Sequence, residues 1–298
     1  MNNTRIAHFH LPGLYEFYEF YKVFLPVFYE HRGWFFDNVE ISSIYGAPLG
    51  SLWSGGRVGF GDNNTKAVLS LMEEYSISAR LTFSNSLLTP EHLNNRICND
   101  TCKAFTHTSV QSGIIVHSDL LLDYLKEHYP DFYFVSSTTK VITDYNEFIK
   151  ELDRPEFNYV VPDFRLNPRL DDLNSLSMGQ KDKVEFLCNE CCSFTCSDRK
   201  TCYEIVSRKV LGEDVEHICK NDDGRGYTFS KAMTNPGFIS NDAVFNTYIP
   251  MGFSNFKIEG RSLGSAIILE FLLYYLAKPQ YYINIRESIY LDATLDLF

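Results

Sequence analysis

The sequence predicts a (βα)8 barrel of the TIM type, and three observations carry that prediction. Short β-rich runs alternate with helical stretches from one end to the other, giving eight strands. No linker rich in Pro, Gly or Ser divides the 298 residues, so one barrel domain is expected over 1–298. The glycine-rich phosphate loop of an open doubly wound sheet is missing. Gly55-Gly56-Arg57-Val58-Gly59-Phe60-Gly61 lacks the G-x-G-x-x-G order ahead of a helix, and reads as a turn-rich link between the second strand and its helix.

The strands are expected at 5–10, 38–43, 79–84, 113–117, 133–137, 159–162, 183–188 and 254–258, where β-branched and aromatic residues gather in short runs. Helical periodicity covers 14–29, 65–75, 120–129, 144–152, 171–178, 202–211 and 263–276. Start signals support several of these helices. Thr89-Pro90-Glu91 offers an N-cap, a first-turn proline and an acidic residue for the dipole; Ser118-Asp119 and Asp144 introduce others.

Hydrophobic residues make up 45% and charged residues 22%, which suits a globular core of ordinary size. Aromatics reach 15%, spread along the chain, and read as core and sheet-packing mass. The formal net charge of −11, with no basic stripe, argues against tight non-specific binding of nucleic acid. The longest apolar run, 266–277, contains Glu270 and is too short to span a bilayer, so no membrane partner is expected. The first residues lack the apolar centre of a signal peptide, and a cytoplasmic protein with reduced cysteines is the expectation.

The chemistry concentrates at 188–202. Cys188, Cys191, Cys192, Cys196 and Cys202 place five of the eight cysteines within fifteen residues, and Cys219 follows past the next helix. Thiolates at this density point to a soft metal centre, zinc or an iron–sulfur cluster. The spacing matches neither the paired C-x2-C of zinc ribbons nor the C-x3-C-x2-C of radical enzymes that cleave S-adenosylmethionine. Cys98 and Cys102, four apart on an expected helix, share a face and read as packed thiols, with extra ligands or a redox pair as the other options.

The remaining candidates lie where strands end, the catalytic face of a barrel. His8-Phe9-His10 puts two imidazoles on one side of the first strand, a pairing that metal-dependent hydrolases use, although hydrogen-bonded structural histidines are the commoner case. His117, and Asp163 with Arg165, occupy later strand ends. Lys257-Ile258-Glu259-Gly260-Arg261 closes the barrel, and Lys257, Glu259 and Arg261 are the expected substrate-orienting group, a strand-to-helix ion-pair network being the plainer alternative. No Ser-His-Asp constellation or G-x-S-x-G elbow is present, which disfavours a serine hydrolase.

The segment Phe256-Lys257-Ile258-Glu259-Gly260-Arg261 resembles the K-I-E-G-R run of the collagenase-like peptidase (U32) superfamily. Asn189-Glu190 with Cys192, Cys196 and Arg199 resembles the N-E-x-C-x3-C-x2-R arrangement of barrel relatives in that superfamily. The resemblance implies a TIM barrel with a [4Fe-4S] cluster held after a late strand. It also implies redox or hydroxylation chemistry on a small molecule or a nucleobase, so the expected partner is a small-molecule or RNA substrate, and a hetero- or homodimer fits one branch. The longer cysteine spacing and glycine-rich insertion of its better-known members are absent here. On this reading Cys188, Cys192, Cys196 and Cys202 are the leading ligands, with Cys191 and Cys219 as substitutes. The alternatives are a zinc-dependent hydrolase or lyase using His8, His10 and a cysteine, and a non-catalytic subunit with a structural metal site at 188–219.

Overall fold

The computed structural model describes residues 5–56, 61, 63–219, 227–260 and 263–292. Eight strands, β1 (Ala7–Pro12), β2 (Val39–Gly46), β3 (Ser78–Phe83), β4 (Gly113–Val116), β5 (Tyr133–Ser136), β6 (Phe157–Val160), β7 (Glu185–Leu187) and β8 (Asn255–Lys257), pair in parallel in the order β6-β5-β4-β3-β2-β1-β8-β7. A single parallel bridge, Val160 to Val184, links the two outer strands, so the sheet curls into a nearly closed TIM-type barrel.

Helices cover the outside: α1 (Tyr18–Glu30), α2 (Thr65–Glu74), α3 (Arg96–Phe105), α4 (Asp119–His128), α5 (Tyr145–Leu152), α6 (Leu170–Asn174), α7 (Met178–Lys183), α8 (Arg199–Val210), α9 (Phe229–Met233), α10 (Asn241–Ala243), α11 (Ser265–Leu276) and α12 (Tyr282–Glu287). Their starts follow the local chemistry. Ser118 accepts from the Leu121 amide at 3.4 Å, and Asp144 from the amides of Asn146 and Glu147 at 2.9 and 3.0 Å. In α1, Phe20, Phe24 and Phe28 recur every four residues and stack at 5.5 and 6.3 Å between centroids, which turns one aromatic face into the barrel wall.

Two expected helices differ. Thr89-Pro90-Glu91 starts only a 3-10 turn, Pro90–Asn94, in which Thr89 and His92 bond reciprocally; α3 begins afresh behind the Asn95 cap. The stretch 171–178 splits into α6 and α7, because Ser177 and Gln180 form a capping box that restarts the helix. The link around Gly55–Gly61 is described only in part, since 57–60 and 62 lie outside the described residues. Gly55 itself answers to packing. A side chain there would meet the Ser84 carbonyl at 2.2 Å.

The core is double. The larger part lies between strands and helices, and a separate cluster of Tyr45, Ile115, Val135, Val161 and Leu187 fills the barrel interior. Among the described residues no helix is long and apolar enough to cross a membrane.

Candidate functional site

Alternation along the strands sorts the interior into layers. The innermost contains His10, Ser43, Arg80, Tyr133, Tyr159, Glu185 and Asn255. Two residues further along four of these strands stand Tyr45, Val135, Val161 and Leu187, which with Ile115 of β4 make the apolar layer. Two further again come Ala47, His117, Ser137, Asp163, Asn189 and Glu259, at the C-terminal mouth. The apolar layer therefore divides a polar interior from a polar mouth.

The interior is an ion cluster. Glu185 Oε2 receives Arg80 Nη1 at 2.5 Å and Glu185 Oε1 receives Lys257 Nζ at 3.0 Å, with all three side chains buried. Arg80 Nε donates to the Tyr133 hydroxyl at 2.7 Å and its guanidinium lies 4.7 Å from the Tyr159 ring centroid. Lys257 Nζ sits 3.6 Å over the Tyr45 ring. Gly113 makes room for this arrangement, since a side chain there would lie 2.5 Å from the Tyr133 ring. The two cations hold the Glu185 carboxyl far below the usual carboxylate range despite its burial.

His10 belongs to the same layer. Its Nδ1 lies 2.8 Å from Ser43 Oγ and its Nε2 lies 3.3 Å from Asn255 Oδ1. Burial, then the Arg80 charge, lowers its pKa to about 3, so the imidazole is neutral and the 3.7 Å approach to Glu185 is no salt bridge at ordinary pH. His8 lies one turn of the pleat nearer the N-terminal end, 2.8 Å from Ser42 Oγ and 3.5 Å from Glu40. β1 runs to Pro12, two residues beyond the expected strand, so neither histidine stands at its C-terminal end. Their polar partners are Ser42, Ser43, Asn255 and Glu40, and a zinc site of His8, His10 and a cysteine would have to draw its thiol in from the loop after β7.

At the mouth the chain leaves β7 into 189–198, which contains neither helix nor strand. Asn189 ties this exit to β8: its Nδ2 donates to the Glu259 carbonyl at 2.9 Å and its Oδ1 accepts the Glu259 amide at 2.7 Å. The side chain thus continues the strand ladder where the backbone stops pairing. Glu190 Oε1 accepts the amides of Cys191 and Cys192 at 2.9 and 3.0 Å, while its Oε2 receives Arg199 Nη2 at 2.7 Å. Asp163 receives Arg165 at 2.6 Å and stands 3.4 Å from Arg199 Nε, and Arg165 Nη1 donates to the Cys196 carbonyl at 2.7 Å. Arg199 is only 1% exposed, yet its Nε and Nη1 find no hydrogen-bond acceptor among the described residues. Cys192 is one of the charges that hold Arg199 protonated.

The six candidate thiols do not converge. Cys188 continues the alternation of β7 outward, into the strand–helix core, where burial pushes its thiol up and its Sγ lies 3.5 Å from the Phe186 carbonyl. Cys191 and Cys192 are half-buried on the loop and Cys196 is buried at its far end. Cys202, on α8, has its Sγ 3.0 Å from His217 Nε2, and Cys219 is exposed. Among the described residues no three His, Cys, Asp or Glu side chains stand close enough to share an ion. The expected set Cys188, Cys192, Cys196 and Cys202 therefore does not fit a four-thiolate cluster, because the strand aims one sulfur behind the barrel wall and the helix engages another with a histidine. Cys98 and Cys102 are packed, as the plainer expectation had it. Both are fully buried, and desolvation raises both thiols.

Of the expected substrate-orienting group, Lys257 is a partner of Glu185 inside the barrel, Glu259 stands half-buried at the mouth, and Arg261 lies outside the described residues. His117 also reaches the mouth, 2.9 Å from Thr139 Oγ1, with burial and then Lys140 and Lys200 lowering its pKa to about 4. The sequence reading passed over Arg80, Glu185 and His217. For the first two a signal existed, a charge in the middle of a buried apolar strand. For His217 there was none.

No protein-family model matches the sequence, and no curated protein matches it. The fold has a solved counterpart in the U32 peptidase Mk0906, with a TM-score of 0.52 and 10% identity over 87% of this chain and 94% of that one. At that identity the likeness concerns the fold, and in fold this chain is a relative of the U32, collagenase-like barrels.

Proposed function

We propose that this barrel is a redox protein working at its C-terminal mouth, through an iron–sulfur centre held by Cys191, Cys192 and Cys196 on the loop after β7. The single observation behind this reading is Arg199. A fully buried guanidinium with two nitrogens lacking acceptors sits beside the cysteine loop, and spare cationic donors suit a thiolate or a bound sulfide. The loop has irregular backbone, so its sulfurs can close on iron without breaking a strand ladder or a helix. Cys188 points into the strand–helix core and Cys202 already meets His217, so this reading leaves both out. Such a centre would supply electron transfer for redox or hydroxylation chemistry on a small molecule or a nucleobase. This chain's own part is to hold the loop through Glu190, Asp163, Arg165 and Arg199, and to offer Glu259 and His117 to a substrate.

The test is purification without oxygen followed by determination of iron, sulfide and zinc. Iron and sulfide in equal amounts, lost in Cys192→Ser and kept in Cys188→Ser, support the reading. Stoichiometric zinc without iron, or full metal content in Cys192→Ser, overturns it. A structural metal without catalysis is the second reading, favoured because the charged groups around the loop are largely paired with one another. It requires that Glu259→Gln and His117→Asn leave every measured turnover unchanged.

A further inference from the structure

A second thiol site lies off the barrel mouth, on the flank of α8. Cys202 Sγ is 3.0 Å from His217 Nε2, and the same nitrogen lies 3.7 Å from the Asp198 carboxylate. Cys202 is half-buried, and the side chains of His217 and Asp198 are 19% and 21% exposed, so small solutes reach the group. We propose that Cys202 is a peroxide-reactive thiol, with His217 as its proton partner and Cys219 as the resolving cysteine.

The chemistry follows from the neighbours. An imidazole at hydrogen-bonding distance is placed to take the thiol proton as the sulfur reacts, and a carboxylate beside the ring helps to orient it. The other buried cysteines lack any such partner. Desolvation raises the thiols of Cys98, Cys102 and Cys188, and the side-chain partner of Cys98 is a hydroxyl, Ser51 Oγ at 3.4 Å, not an imidazole. Cys219 is exposed and stands two residues beyond His217, on a stretch with neither helix nor strand. Two residues span at most about 7 Å, and the irregular 217–219 stretch would have to bring the Cys219 and Cys202 Cα atoms within about 7 Å of each other for the disulfide to close.

In the first step the Cys202 sulfur attacks the distal oxygen of a hydroperoxide and the O–O bond breaks. The proton held by His217 goes to the leaving alkoxide, giving an alcohol (water, for hydrogen peroxide) and a sulfenic acid. In the second, the Cys219 thiol displaces hydroxide from that sulfenic sulfur, giving the Cys202–Cys219 disulfide and water. Two thiols are oxidised and one peroxide is reduced.

The experiment treats the full-length, reduced protein at pH 7 with one equivalent of hydrogen peroxide and dimedone, and maps each cysteine by mass spectrometry. The expected result is a dimedone adduct on Cys202 forming roughly tenfold faster than on Cys219. His217→Asn should bring Cys202 down to the Cys219 rate while the circular dichroism spectrum stays unchanged. Without dimedone the Cys202–Cys219 disulfide should accumulate, and in Cys219→Ser the sulfenic acid should persist instead. Equal rates at Cys202 and Cys219, or an undiminished Cys202 rate in His217→Asn, overturn the proposal. So does protection of Cys202 that a chelator relieves with release of zinc, which would make the pair a metal ligand set.

Discussion

The two polar regions of the barrel use the same residue types under different constraints. Inside, Arg80, Glu185, Lys257 and His10 sit on strands, and their inward-pointing side chains meet in one cluster. There Glu185 takes a cation on each oxygen. At the mouth, Asp163, Glu190 and Arg199 belong to the segments leaving β6 and β7 and to the start of α8, and two nitrogens of the buried Arg199 have no hydrogen-bond acceptor among the described residues. A buried charge with all its partners is a structural device, whereas one with donors to spare is built around something else. Under the proposed function the inner cluster serves stability and the mouth the chemistry, as barrels in general divide them.

The comparison breaks most readily at Glu185. Glu185→Gln leaves Arg80 and Lys257 buried without a counter-charge, and a loss of about 3–5 kcal/mol in denaturant unfolding is expected. A loss under about 1 kcal/mol would show that water already reaches the cluster.

Acid should act on the same layer. Folded His10 stays neutral down to about pH 3, whereas the unfolded chain takes up the proton near pH 6.5. Between these values the unfolded state binds more protons, so stability is full above about pH 6.5 and falls progressively as the pH drops towards 3. The loss is on the order of 5 kcal/mol, and thermal melts of wild type and His10→Gln across that window should converge at low pH. Parallel curves would mean that His10 titrates as an exposed imidazole.

Smaller effects belong to the mouth. Arg199→Met strands part of Glu190 but leaves it the two cysteine amides, so roughly 1–3 kcal/mol is expected, together with a fall in bound iron. Iron retained in full would move Arg199 to the structural side of the comparison. Smallest of all, Glu259→Gln should change stability by under about 0.5 kcal/mol, because Asn189 grips the backbone of residue 259 and not its carboxylate. A larger loss would reveal an unrecognised role for that side chain in closing β7 onto β8.

The legible part of this protein was its local part. All eight strands could be placed from apolar runs and their turn signals, to within a few residues. Pattern could not settle the ends. β1 continues through Leu11 and Pro12 because β2 offers partners as far as Tyr45, and those two residues place His8 and His10 within the strand and not at its end. The split of 171–178 was legible in principle from Ser177 and Gln180, a start signal inside an apparently continuous helix.

The density of cysteines after β7 and the helix-capping residues are properties of adjacent positions, so sequence alone settles them, and the alternation of strands with helices settles the barrel. Which sulfurs share a neighbourhood is a matter of direction. Cys188 and Cys192 are four residues apart, yet one faces the helix layer and the other the mouth, because the last ladder bonds of β7 fix the parity of the first and release the second. Arg80 and Glu185 are 105 residues apart and meet only when the ring of strands folds round on itself. His217 reaches Cys202 by a path that no periodicity records. These pairings depend on strand register and on the course of irregular loops, which the tertiary structure alone decides.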